Sequence, residues 1–308
     1  ASDVYKRQSL KAAVCVTVSG QGSLADTHPL NAGVVGSNGG VMATRDVVAA
    51  ADVVLFVGCR AGSTSTEHWR FPNRDVPILH IDIDPMVIGA NYLTEVGLVG
   101  DAKLALEALG AEVQARLAHR PSDAVDGAVL AGRAKAARRA QLEPLAASLD
   151  APIRPERVVQ SLNRLLPDDA VVCADPGTPC PYFSAYYDVS RPGRHFITNR
   201  AHGALGFSMS AALGAWVGRP QAKCVSVMGD GSFGFTVGEL ETIVRHKAPL
   251  LMIVFSNSVY GWIKASQKAG YDKRYYSVDF DRTDHARIAE AYGCLLYTSP
   301  SPRDVEES

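Results

Sequence analysis

Residues Cys224 to Ile263 read CVSVMGDGSFGFTVGELETIVRHKAPLLMIVFSNSVYGWI. An apolar run, Cys224 to Met228, stops at Gly229-Asp230-Gly231. Apolar residues at helical spacing follow (Val237, Leu240, Ile243, Val244), and a second apolar run, Leu250 to Phe255, stops at Ser256-Asn257. The pattern is a β-α-β unit. Its crossover is almost always right-handed, so the two strands run parallel and their C-terminal ends lie on one edge of the sheet. If the strands are neighbours, their tips stand about 4.8 Å apart.

Asp230 and Asn257 then offer a carboxylate and an amide oxygen to one point, beside a helix N-terminus whose free N–H groups favour an anion. Hard oxygen ligands of low charge next to a phosphate site suit Mg²⁺, which completes its octahedron with phosphate oxygens and water. The implied ligand is a diphosphate held through magnesium. Each piece alone has an ordinary explanation: Gly-Asp-Gly is a common turn, and an Asn after a strand commonly caps a helix or sits in a loop.

The arrangement GDG, helix, strand and Asn resembles the signature of thiamine-diphosphate enzymes. Ser256 stands where the family usually has a first Asn, while Asn257 keeps the metal-coordinating second one. The resemblance implies a third ligand, the main-chain carbonyl of Val259, where side-chain identity matters little. It also assigns the segment His202-Gly203-Ala204-Leu205-Gly206-Phe207, in which Leu205 is the apolar wedge that bends the cofactor. Read alone, Leu205 is equally a core leucine at a helix start, and His202 a loop histidine.

The second domain opens with a helical stretch, Pro155 to Leu166, and an apolar run, Ala170 to Ala174, that leads into Asp175-Pro176-Gly177-Thr178-Pro179. Small residues at a strand tip can approach phosphate oxygens closely, and a Pro-Gly turn explains the same residues. By resemblance, Gly177, Thr178, Gly229, Gly231 and Ser232 hold the diphosphate. Tyr260 and Ile263, on the helical stretch Tyr260 to Ala269, border the cofactor and substrate cavity.

Nearer the N-terminus, Ala12 to Val18, Val53 to Val57 and Ile78 to Ile83 read as strands, with a helix over Val41 to Ala51 between the first two. This alternation is a parallel α/β pattern. The order HPLNAG, ADVVLFVGCR, HIDIDP, VGDAK is similar to the central domain of the acetolactate synthase, pyruvate oxidase and benzoylformate decarboxylase group, which binds FAD, another adenine nucleotide, or nothing. Arg60 and Asp82 are the positions a nucleotide would meet, but Ala61-Gly62-Ser63 replaces the bulky and acidic residues of FAD-holding members, which argues against FAD. His28 reads as a loop hydrogen-bonder.

The fold class is therefore α/β with two parallel-sheet domains: a Rossmann-like central domain over 9–115 and a thiamine-diphosphate- and Mg-binding domain over 151–293. An Ala- and Arg-rich helical linker over 116–150, broken at Pro121-Ser122, joins them, and its Arg133, Arg138 and Arg139 read as a solvated face. Residues 1–8 and 294–308, with VYKRQ and LLYTSPSPRD, resemble translated adapter sequence and are read as non-native.

The 308 residues leave room for two cores. A net charge of −1 with interleaved signs gives no electrostatic case for nucleic acid or an anionic membrane. The six cysteines form no CxxC pair and read as reduced thiols, so the expected location is cytoplasmic. No apolar stretch approaches the roughly 20 residues of a membrane helix.

By resemblance, the chain acts on 2-oxo acids through its cofactor, as in acetolactate synthase-like decarboxylation and carboligation. Another 2-oxo acid decarboxylase, an acyl transferase of the same family, or a non-catalytic thiamine-diphosphate-binding module would share the motifs. No catalytic residue is assigned: the family's activating glutamate lies on an N-terminal domain, usually of the partner subunit. The resemblance thus implies a homo-oligomer, dimer or tetramer, and an inactive chain in isolation. A different Mg²⁺-phosphate enzyme, such as a phosphotransferase, would need a nucleophilic Asp or a phosphate-cradling lysine near the strand tips; no GxxxxGK[ST] is present, and Lys223 lies before its strand, on the opposite edge.

Overall fold

Alternating apolar runs and helical periods become parallel strands and covering helices in the structure, a computed structural model that describes residues 11–116 and 126–295. The chain divides into two units between Gln141 and Leu142. That division falls inside the stretch expected as a linker. The Pro121-Ser122 break, residues 1–8 and residues 296–308 lie outside the described residues.

In the first unit, β1 (Val14–Val16) pairs in parallel with β2 (Asn31–Val34). After α1 (Met42–Ala49), a second parallel sheet has the order β3 (Val54–Val57), β4 (Ile78–Asp82), β5 (Val96–Val99). Strands β2 and β5 were not evident from periodicity; β2 is the short run Asn-Ala-Gly-Val. Asn31 belongs there because its buried amide donates to the carbonyls of Leu24 and Ala25.

The helices α2 (Ala102–Arg116) and α3 (Gly127–Ala146) follow. Ala131 and Ala134 of α3 pack against Ala32 and Val47, so the expected surface helix has a buried side of small residues. Arg133 and Arg139 are exposed. Arg45 of α1 forms a two-point pair with Glu67 at 2.7 and 2.8 Å, and the Arg45 guanidinium lies 5.4 Å from the centre of the Phe71 ring.

The second unit begins with α4 (Pro155–Leu165) and continues through β6 (Val171–Ala174), α5 (Pro179–Tyr186), β7 (Phe196–Ile197), α6 (Phe207–Gly218) and β8 (Cys224–Gly229). Then come α7 (Asp230–Thr236), α8 (Glu239–Arg245), β9 (Leu251–Phe255), α9 (Gly261–Gly270) and α10 (His285–Ala291). The sheet order is β7-β6-β8-β9, all parallel. The β8 and β9 runs are direct neighbours, with Gly229 opposite Phe255.

Every residue of β6 is buried, as expected of a central parallel strand covered on both faces. Val171, Cys173 and Cys224 pack with Ala212 of α6, while Met228 packs with Met209, Phe233, Leu240 and Ile243. Burial of side chains the size of Leu240 and Ile243 contributes about 1.5–3 kcal/mol each. This core holds three strand tips, those of β6, β8 and β9, at one edge.

Candidate functional site

The β8 tip turns directly into a helix rather than a free loop: Gly229 ends the strand and Asp230 begins α7. Asp230 is 5 % exposed. Its Oδ1 accepts from the N–H of Gly231 at 2.8 Å, and its Oδ2 accepts from the N–H groups of Asn257 at 2.7 Å and Ser258 at 2.6 Å. One carboxylate therefore ties the tip of β8 to the tip of β9.

Asn257 Oδ1 accepts from the N–H of Val259 at 3.2 Å. The following residues are pinned by Tyr260 N–H to the Val278 carbonyl and Phe280 N–H to the Ser258 carbonyl. Among the described residues, no main-chain donor is bonded to the Val259 carbonyl. An ionised carboxylate oxygen and an amide oxygen each offer two lone pairs. Asp230 Oδ1, Asn257 Oδ1 and the Val259 carbonyl thus each retain acceptor capacity, and the donor set is all hard oxygen, which fits Mg²⁺. Among the described residues, no group of three His, Cys, Asp or Glu side chains could hold a metal.

The other candidates meet around the same tips. A Cβ on Gly231 would stand 2.6 Å from Tyr260 Cε1, so the Tyr260 ring lies on Gly231. A Cβ on Gly177 would stand 3.3 Å from Leu205 Cδ2 and 3.9 Å from the Ser232 hydroxyl. Thr178 Oγ1 abuts Gly261, at the start of α9, with 3.0 Å to a Cβ there. Gly229 differs: a Cβ there would meet only the Phe255 carbonyl, at 3.9 Å, so close approach by the protein does not require glycine at this position. Beside Asp230, Gly231 and Tyr260 opens a cavity of about 430 Å³, bordered by Phe235, Phe280 and His285.

His202 is an exposed loop residue, and Ile263 on α9 is half exposed. In the first unit, His28 Nδ1 accepts from the Leu30 N–H, as a loop hydrogen-bonder does. The Asp82 side chain accepts from the Asp84 N–H within its own turn, and Arg60 is exposed.

Sequence reading passed over Asp175, which follows β6 and is fully buried. It accepts from the Phe207 N–H at 3.0 Å, the Ser208 N–H at 3.4 Å and the Ser208 hydroxyl at 2.6 Å. The Ser226 hydroxyl of β8 in turn donates to the Ser208 hydroxyl at 3.0 Å. Burial pushes the Asp175 carboxyl above its usual range, against the hydrogen bonds from Ser208, Phe207 and Gly206. The one sequence signal was an acid placed directly after the five apolar residues Ala170 to Ala174. Arg200 was also passed over; it donates to the Pro176 carbonyl and lies over the Trp262 ring.

Residues 175–308 match the family described as thiamine pyrophosphate enzyme, C-terminal TPP binding domain, and residues 7–109 match thiamine pyrophosphate enzyme, central domain. The chain is 29 % identical over 304 residues to a probable acetolactate synthase large subunit of Methanococcus aeolicus, covering 96 % of this chain and 50 % of that protein. It is 30 % identical over 305 residues to the probable acetolactate synthase large subunit of Methanocaldococcus jannaschii, covering 97 % and 50 %. A probable 2-ketoarginine decarboxylase of Pseudomonas aeruginosa is 31 % identical over 301 residues, covering 97 % and 50 %. The chain spans about half the length of the curated relatives it matches.

Proposed function

Because the chain belongs to the thiamine pyrophosphate enzymes, we propose that it serves a magnesium- and thiamine-diphosphate-dependent enzyme acting on 2-oxo acids, by acetolactate synthase-like decarboxylation and carboligation. The observation that carries this reading is the Asp230 carboxylate, which joins the β8 and β9 tips while Asp230 Oδ1 and Asn257 Oδ1 each accept only one N–H. Bound there, the cofactor supplies an electron sink for the carbon left when a 2-oxo acid loses carbon dioxide.

The chain's own residues bind and orient. Asp230, Asn257 and the Val259 carbonyl hold Mg²⁺. Gly177, Thr178, Gly229, Gly231 and Ser232 leave room for, or bond to, the diphosphate, and the Tyr260 ring borders it. Leu205, set against Gly177, supports the ring-bearing half. The first unit is read as holding no FAD, since Ala61-Gly62-Ser63 follows Arg60. The working assembly is a homo-oligomer in the cytoplasm, without nucleic acid or membrane partners. Among the described residues, no helix is long and apolar enough to cross a membrane.

Calorimetric titration of the chain with thiamine diphosphate tests the reading: binding is expected with Mg²⁺ and not with a chelator. Binding indifferent to Mg²⁺ would remove the metal site. A second reading, decarboxylation without carboligation, draws on the similar identity to the probable 2-ketoarginine decarboxylase. Product analysis of the assembled enzyme separates the two, because carboligation alone yields a new carbon–carbon bond.

A further inference from the structure

A second, buried polar assembly joins the end of β6, the first turn of α6 and the middle of β8, formed by Asp175, Ser208 and Ser226. All three residues are fully buried. Asp175 sits on the last turn of backbone after β6, and its N–H donates to the Val227 carbonyl of β8. Its carboxylate reaches across to the first turn of α6, where it takes the Phe207 and Ser208 N–H groups and the Ser208 hydroxyl. It thus caps a helix that begins more than thirty residues later in the chain. The N-cap residue, Gly206, is a glycine with φ of 86° and supplies no side-chain cap.

Leu205 lies directly before this capped turn. Its Cδ2 lies against Gly177, two residues beyond Asp175. The carbonyl of the next residue, Gly206, accepts from the Thr236 hydroxyl at 3.2 Å. No hydrogen bond of this assembly reaches the Asp230 carboxylate, whose partners are Gly231, Asn257 and Ser258. The two halves of the site are therefore fixed by separate carboxylates.

We propose that Asp175 is a positioning residue for the ring-bearing half of the cofactor, acting through the Ser208 turn to set the place of Leu205, independently of the metal-diphosphate half. This inference rests on the cofactor reading above. A purely architectural carboxylate would affect every ligand of the site alike, whereas one that acts through Leu205 affects only ligands that touch Leu205.

The test is calorimetry on the 308-residue chain with two ligands, thiamine diphosphate and inorganic pyrophosphate, each with Mg²⁺. Asp175→Asn is expected to lower thiamine diphosphate affinity about tenfold or more, roughly 1.4 kcal/mol, and to leave pyrophosphate affinity unchanged. Leu205→Ala is expected to do the same. The double variant should be no weaker than Leu205→Ala alone, since coupled residues are non-additive. Ser208→Ala, which removes one link of the assembly, should show a smaller loss in the same direction and serves if Asp175→Asn does not fold. Additive losses, or an equal loss for pyrophosphate, overturn the inference while leaving the cofactor reading intact. Failure of the unsubstituted chain to bind thiamine diphosphate overturns the cofactor reading, and the inference falls with it.

Discussion

Asp230 Oδ2 accepts the Asn257 N–H at 2.7 Å, so the carboxylate and the amide that were expected to share a ligand are also bonded to each other through the backbone. The placement of one proposed metal ligand is thus built into the fold around the other.

Asp230→Ala is expected to abolish Mg²⁺-dependent binding of thiamine diphosphate. It also strands the N–H groups of Gly231, Asn257 and Ser258, each at a cost of about 1–3 kcal/mol where water cannot replace the carboxylate. Asp230→Asn keeps the volume and part of the acceptor capacity, so it should retain more stability than Asp230→Ala while still losing the metal. Titration with and without Mg²⁺, paired with urea unfolding, checks both; unchanged affinity in Asp230→Ala would remove Asp230 from the site.

Gly206→Ala meets two obstacles. The backbone φ of 86° disfavours any side chain, and a Cβ would stand 2.5 Å from Thr236 Cγ2. A left-handed conformation alone costs roughly 1–2 kcal/mol, and overpacking adds about 1–3. Adding Thr236→Ser, which deletes the methyl, should recover part of the loss and not all of it. Thermal melts of the single and double variants measure the two contributions separately.

Burial pushes the Tyr187 phenol from 10.0 up to about 12, with Asp188 and Asp168 adding in the same direction. Burial likewise pushes the Cys173 thiol from 9.0 up to about 12. Below the unfolded values the protons are held in both states and the stabilisation is complete. Above them the unfolded chain releases protons that the folded chain retains, so stability falls as pH rises from 9 toward 12. Tyr187→Phe should flatten the upper part of this decline, by on the order of 2 kcal/mol. Denaturant unfolding across alkaline pH would show it; parallel pH profiles for the two proteins would exclude Tyr187 as a contributor.

In the first unit, the Arg45–Glu67 pair is bidentate and largely shielded, with the Glu67 side chain 10 % exposed. Glu67→Gln leaves the guanidinium without its charge partner and should cost about 1–3 kcal/mol. The loss should vanish when Arg45 is already replaced by Met. A double-mutant cycle in urea gives the coupling energy directly, and a coupling near zero would show the pair to be energetically idle.

Much of the site was legible because its signals are local. An apolar run closed by Gly-Asp-Gly marks a strand end, and a second run closed by Ser-Asn marks another. The parallel hand of the crossover then brings Asp230 and Asn257 to one edge. The prolines Pro155 and Pro179 stand in the first turns of their helices, where a missing N–H leaves no carbonyl unpaired. Strand β2 escaped notice because Asn-Ala-Gly-Val has neither alternation nor an apolar run, and its place depends on where Asn31 finds buried carbonyls.

By itself, the sequence determined the β-α-β unit from Cys224 to Ile263, its parallel edge, and the residue types placed at that edge. Only the tertiary structure decided that Asp175 caps α6, that Leu205 lies on Gly177, and that Tyr260 covers Gly231. The reason is physical. Periodicity and turn chemistry are fixed within a few residues by backbone sterics and side-chain alternation. A buried carboxylate instead takes its partners from whatever donors the register of β6 against β8 and the docking of α6 bring within about 3 Å, and no local pattern encodes that distance.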